Sequence, residues 1–163
     1  MRLLMWHCET LRSRDVEKSN RPQGIGAVAS DPLNQVFTNV LAVFTCVESQ
    51  DSEETVERAA AEVKLIADEI ASKDVVVVPF AHLSSDVMVR DSGRAKALVD
   101  EVGNAIEQLG FNMTMTSFGF HKEFELHFVA KDHKLAVRFR NVPPQTPDGS
   151  QLGAGDEVLK ENT

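Results

Sequence analysis

Apolar residues recur along this chain at two different periods, and the changes of period divide it into alternating elements. Val56, Ala59, Ala60, Val63, Ile66, Ala67 and Ile70 fall at the 3.6-residue spacing of one helix face. Ala95, Leu98, Val102, Ala105, Ile106 and Leu109 do the same further on, and Gly110 stops that second helix. Asp51 or Ser52 caps the first helix, with Glu53 and Glu54 suited to the positive end of its dipole. Elsewhere the pattern is extended. Residues 2–6 read as a short apolar strand, 36–47 as a long central one, and 74–78 as a strand whose four consecutive valines predict burial on both faces. Residues 111–118 form a further strand. Phe124, Leu126 and Phe128, then Leu135, Val137 and Phe139, alternate with polar neighbours and predict a hairpin turning at residues 130–133.

Between these elements, residues 11–35 are polar and punctuated by Pro22, Gly24, Gly26 and Pro32, which predicts an irregular excursion or a short hairpin. After Asn141 the sequence is rich in Pro and Gly and has no period, as in a linker or frayed tail. The order of elements predicts one α/β domain with a mixed β-sheet and two main helices.

Composition narrows the class. Of 163 residues, 42% are hydrophobic and 26% charged, enough apolar surface for a real core. No apolar run approaches the ~20 residues of a membrane span, and the first residues reach a charge too soon for a signal peptide. Cys8 and Cys46 sit inside apolar strand patterns, as buried thiols of a reducing compartment do. A net charge of −8 argues against simple electrostatic capture of RNA. The charge is unevenly placed, however. Eight carboxylates lie between residues 48 and 69, whereas Lys131, Lys134, Arg138 and Arg140 form a basic strip able to touch phosphates.

Candidate chemistry is sparse. The five histidines show no metal-ligand spacing and there is no CxxC, so neither a metal nor another cofactor is expected. Gly24 and Gly26 lack the third glycine of a dinucleotide loop. Ser84, His82 and Asp86 make a triad only on paper, because residues so close in sequence rarely meet its geometry. Two strand ends stand out. VVVVPFAHLSS over residues 75–85 carries Pro79, which cannot donate to a ladder, and then His82. FGFHK over 118–122 is an aromatic-glycine turn that delivers His121 and Lys122 to the mouth of another strand.

Taken together, PFAHLSS followed by FGFHKEFELHF resembles the N-terminal editing domain of archaeal threonyl-tRNA synthetases, whose fold is that of the D-aminoacyl-tRNA deacylases. MRLLMWHCE resembles that family's first strand and LAVFTCVE its central one. The resemblance covers roughly residues 1–140 as the editing domain and leaves 141–163 as linker or tail. It implies a cytoplasmic, homodimeric hydrolase that removes serine wrongly attached to threonine tRNA. Its partners would be the acceptor end of that tRNA and the synthetase's catalytic module, in cis or in trans.

An aminoacyl-tRNA ester is already activated, so positioning a water and stabilising the oxyanion suffice, with the 2′-hydroxyl of the terminal adenosine taking part. On this reading Lys122 holds the substrate hydroxyl or the water, and His82 the terminal ribose. Main-chain groups around Val47, Pro79 and Ala81 hold the amino acid, while Phe80, Phe118, Gly119 and His121 complete the site. The chain departs from the family in two places. A tyrosine common before the lysine is His121 here, and a glutamate on the last hairpin strand is Val137 or Arg138. That leaves Glu123 or Glu125 as the lysine's candidate carboxylate. Two other activities share the resemblance: a D-aminoacyl-tRNA deacylase, although its glycine-proline motif is missing, and an inactive RNA-binding or oligomerising appendage.

Overall fold

A computed structural model of the chain describes residues 1–20, 24–29, 31–87, 91–128 and 136–145. Its elements are β1 (Arg2–Lys18), α1 (Ile25–Val28), β2 (Asn34–Cys46), α2 (Glu53–Glu69) and β3 (Asp74–Pro79), followed by a 3₁₀ turn (Ala81–Leu83). The chain then forms α3 (Ser92–Gln108), β4 (Asn112–Met115), β5 (Phe120–His127) and β6 (Val137–Asn141). This is the expected α/β arrangement, a mixed sheet with two main helices.

The strands lie in the order β4-β3-β2-β1-β5, with β6 also beside β1. β2, β3 and β4 run parallel, and α2 and α3 are the crossovers that parallel pairing demands. The helices cover one face. Val56, Ala59, Val63 and Ala67 of α2 and Leu98, Val102 and Ile106 of α3 are buried against Leu3, Met5, Leu41, Val43, Val75 and Val77. At Gly103 a β-carbon would stand 2.9 Å from the methyl carbons of Met113 and Met115, so a larger residue there would make the ends of those flexible side chains shift. Leu109 caps α3 and is 43% exposed, outside the core stripe predicted for it; Val99 is buried instead. Ser52 is the N-cap of α2, while Asp51 turns away to the Met1 ammonium at 2.5 Å and the Glu48 N–H at 2.7 Å.

The opposite face of the sheet carries a second apolar cluster, Cys8, Leu11, Val40, Ala42, Phe44, Val76 and Val78, flanked by Trp6, Phe80, Leu83 and Phe124. Val75–Val78 are therefore buried on both sides, as the valine run predicted.

Three expectations are corrected. β1 does not stop at residue 6 but continues to Lys18, paired with β2 from Arg2↔Cys46 to Arg14↔Asn34, so residues 11–18 and 34–35 of the stretch read as an irregular excursion or short hairpin are strand. Its inward positions change parity between Cys8 and Leu11. Opposite, β2 changes between Val40 and Phe37, where Asn39 takes a φ of 53°. Two registers of alternation within one strand hide its continuity. The predicted 111–118 strand shortens to Asn112–Met115. β5 and β6 are not a hairpin, either. Both run antiparallel to β1, β5 along residues 10–18 and β6 along residues 2–6, so they lie end to end on one edge. The turn expected at 130–133 lies outside the described residues, as does the tail from residue 146. Before it, Val142 is buried, and its N–H and carbonyl bond Met1 at 2.8 and 2.9 Å.

Candidate active site

The carboxyl ends of parallel strands are where open α/β sheets leave a crevice, and this sheet follows that rule. β2 and β3 end in register at Thr45↔Pro79. The Phe80 N–H still reaches the Thr45 carbonyl at 2.9 Å, after which the 3₁₀ turn lifts the chain out of the sheet. Pro79 thus ends the ladder as its missing N–H predicts. Phe80 is fixed by edge-on contacts to Phe44 at 5.1 Å and to His82 at 5.2 Å, which leave His82 exposed at the rim. Behind the turn, Glu48 Oε1 accepts from Ser84 Oγ at 2.5 Å and from Arg2 Nε at 3.0 Å, and Arg2 also donates to the Leu83 carbonyl at 3.3 Å. Ser84 and Asp86 are engaged in this network and with Ser49, not with His82, so the paper triad is not assembled.

The second wall is the turn into β5. Gly119 has a φ of 85°, and its carbonyl accepts from the Ser19 N–H at 2.8 Å, tying the turn to the end of β1. Between the two walls opens a cleft of ≈1080 Å³. The catalytic and substrate-binding candidates line it: Val47, Pro79, Phe80, Ala81 and His82 from one side, Phe118, Gly119, His121 and Lys122 from the other. Ser19, Asn20 and Ile25, and Ser92, Ala95 and Val99 of α3, also line it and were not anticipated. The first three belong to the stretch read as irregular. The last three continue a helix face whose period marks only burial.

Among the described residues, Lys122 is the lysine or arginine that lines this cleft. Its side chain is 4% exposed, and its Nζ lies 3.7 Å from Oδ1 of Asp15, itself 3% exposed. The two residues are direct cross-strand partners of β5 and β1. Burial pulls the lysine below its ordinary range, and the Asp15 charge and hydrogen bond pull it back up. Ser117 Oγ donates to Asp15 Oδ1 at 2.6 Å and the Leu33 N–H to Oδ2 at 2.7 Å, so both carboxylate oxygens are held. The register between β1 and β5 shifts just beyond this pair, between Asp15 and Glu17.

Asp15 is the site-region residue the sequence reading missed, and the carboxylates named in its place are elsewhere. Glu123 and Glu125 pair with Arg14 and Arg12. Val137 and Arg138 sit opposite Trp6 and Met5, and Trp6 is nine positions along β1 from Asp15, about 30 Å. The basic strip is also spent in part. Arg138 pairs with Glu69 at 2.6 Å and Arg140 with Glu62 at 2.9 Å; Lys131 and Lys134 lie outside the described residues. Both thiols are buried, which pushes Cys8 up to about 11 and Cys46 upward as well. Among the described residues no three His, Cys, Asp or Glu side chains gather as metal ligands would, and no helix is long and apolar enough to cross a membrane.

A family model and the curated relatives agree on one family. Residues 1–142 match the model of the archaea-specific editing domain of threonyl-tRNA synthetase. A threonine–tRNA ligase of Thermococcus onnurineus is 34% identical over 99% of this chain and 25% of its own length. One of Hyperthermus butylicus is 34% identical over 90% of this chain and 23% of its own. The chain thus spans about a quarter of these relatives. Among solved structures, a c-Myc DNA unwinding element binding protein superposes with a TM-score of 0.60 at 8% identity, covering 88% of this chain and all of that one, a likeness of fold alone. A probable eukaryotic D-amino acid tRNA deacylase superposes with a TM-score of 0.44 at 11% identity, over 77% of this chain and 92% of that one.

Proposed function

The chain belongs to the archaea-specific editing domains of threonyl-tRNA synthetase, and from that premise we propose that it hydrolyses the ester of L-serine mischarged onto threonine tRNA. Serine differs from threonine by one methyl, worth about 1–3 kcal/mol of discrimination, too little for a single pocket to sort faithfully. A second site that accepts the smaller residue and hydrolyses it corrects the error.

The observation that carries this reading is the cleft at the strand ends, which brings residues 79–82 and 118–122 together and holds the buried ammonium of Lys122. In it the serine hydroxyl and a water are held by Lys122. The amino group and carbonyl meet backbone around Val47, Pro79 and Ala81, and His82 meets the terminal ribose. The water oxygen bonds to the ester carbon as the bond to the ribose oxygen breaks, and the water's proton passes to that oxygen through the 2′-hydroxyl. Lys122 supplies charge in the place where it strengthens as water is displaced. His121 stands exposed at the rim of the cleft.

The acceptor end of threonine tRNA and a synthetase catalytic module, in cis or in trans, are the partners of this cytoplasmic activity, and the working form is a homodimer. A deacylation panel of threonine tRNA charged with L-serine, L-threonine and D-amino acids tests the reading. Release of serine at least tenfold faster than threonine is expected. Preferential release of D-residues would make the chain a D-aminoacyl-tRNA deacylase, and tRNA binding without release an inactive appendage.

A further inference from the structure

We infer that Asp15 is the positioning residue of the cleft: held from behind by Ser117 and the Leu33 N–H, it fixes the Lys122 ammonium where the substrate must meet it. The inference rests on the reading of Lys122 above but concerns a different residue on a different strand, one that lies outside the cleft wall.

Three observations carry it. Lys122 lines the cleft, whereas Asp15 and Ser117 do not, so Asp15 acts on the reaction only through the lysine. The aspartate is rigid. Two donors from two separate segments, at 2.6 and 2.7 Å, occupy both its oxygens, and its own N–H bonds the Leu33 carbonyl at 3.0 Å. Finally, the β-bulge that follows it, between Asp15 and Glu17, is the kind of irregularity that re-aims a side chain at the end of a ladder. A lysine stem is long and flexible, and an ammonium on it has no preferred direction of its own. A pinned carboxylate 3.7 Å away supplies that direction.

Among the described residues, little else around the cleft could do so. His82 and His121 reach the cleft from the 3₁₀ turn and β5, and neither bears a negative charge. Glu17, cross-strand from His121, is exposed, and Glu123 is paired with Arg14. Among the described residues, α1 and α3 present Ile25, Ser92, Ala95 and Val99 to the cleft, none of them charged.

The test is Asp15→Asn, which keeps the shape and removes the charge, assayed on seryl-tRNA(Thr) across pH with the uncatalysed ester loss subtracted. The expected result is a fall in kcat of about tenfold or more with KM little changed. The alkaline limb of kcat should also move to lower pH, because a lysine without its neighbouring anion loses its proton sooner. A fall in kcat with the alkaline limb unmoved would overturn the inference and leave Asp15 a structural residue. Should Asp15→Asn melt below the assay temperature, Ser117→Ala leaves the charges and frees one carboxylate oxygen; a lowered kcat at constant KM supports the inference, and parent-like kcat overturns it. Lys122→Met run beside these separates the two readings. If that variant is as active as the parent, the role of Lys122 itself fails. If it is dead while Asp15→Asn and Ser117→Ala both match the parent, only the inference fails.

Discussion

Gly119 and Ala29 approach so closely that a β-carbon on the glycine would stand 2.8 Å from that of the alanine and 3.1 Å from its α-carbon. With a φ of 85°, the glycine is also in the left-handed region that other residues enter at a cost. Gly119→Ala should therefore destabilise the chain by about 1–3 kcal/mol in urea unfolding. It should also lower deacylation, because the same turn delivers Phe118, His121 and Lys122. Parent-like stability would show that the loop carrying Ala29 yields freely.

Lys122→Met keeps the stem and removes the charge. It should lower serine release by about 10²-fold, a loss of about 2.7 kcal/mol in transition-state stabilisation. His82→Ala should cost less and act mainly on KM, since its ring is exposed at the rim. Deoxygenating the 2′ position of the terminal adenosine should abolish turnover with every side chain intact. Single-turnover deacylation reads all three.

With its thiol pushed up to about 11 by burial, Cys8 carries almost no thiolate near neutral pH, and Cys46 is shifted in the same direction. Neither should react with a disulfide reagent at pH 8 in the folded protein, and both should react in urea. Cys8→Ala and Cys46→Ala should retain activity, since no step uses sulfur. A dead Cys46→Ala with intact folding would contradict the water-based mechanism.

Glu62 bonds Arg140 at 2.9 Å on the face of α2 where the acidic residues gather. Both side chains are about a third exposed, so solvent and salt weaken the pair. Reversing the charge at Glu57 and Glu62 should cost less than about 1 kcal/mol of stability. Deacylation at moderate salt should be nearly unchanged. A tenfold fall in rate would place the substrate or a partner on this face.

β5 is the last strand of the sheet, and exposed Phe128 and Phe139 lie along the edge it shares with β6. An open edge of this kind favours pairing with a second copy. Sedimentation at micromolar concentration should give a species of twice 18.0 kDa. A clean monomer would exclude the homodimer.

Much of the cleft lining was legible because its residues come in two short runs. Residues 79–82 and 118–122 each sit where a strand begins or ends, and local punctuation by Pro79 and Gly119 marks those ends. The partner of Lys122 was not legible. Asp15 stands more than a hundred positions earlier in a stretch whose alternation changes parity, and only the pairing of β1 with β5 makes the two neighbours. The same parity change hid the far half of β1, and with it the wall formed by Ser19, Asn20 and Ile25.

The sequence by itself determined the elements whose signal is local. α2 and α3 announce themselves because a helix buries every third or fourth residue of its own segment. β3 does so because four valines in a row suit a strand covered on both faces. Tertiary structure alone decided which strands pair. Alternation says that a strand has a buried face, not what lies against it. β5 and β6, which read as a hairpin, instead bond in line to β1, whose length offers both of them partners. Backbone hydrogen bonds between strands are made to whatever chain the whole packing brings alongside, and the charge set against Lys122 is a consequence of that choice.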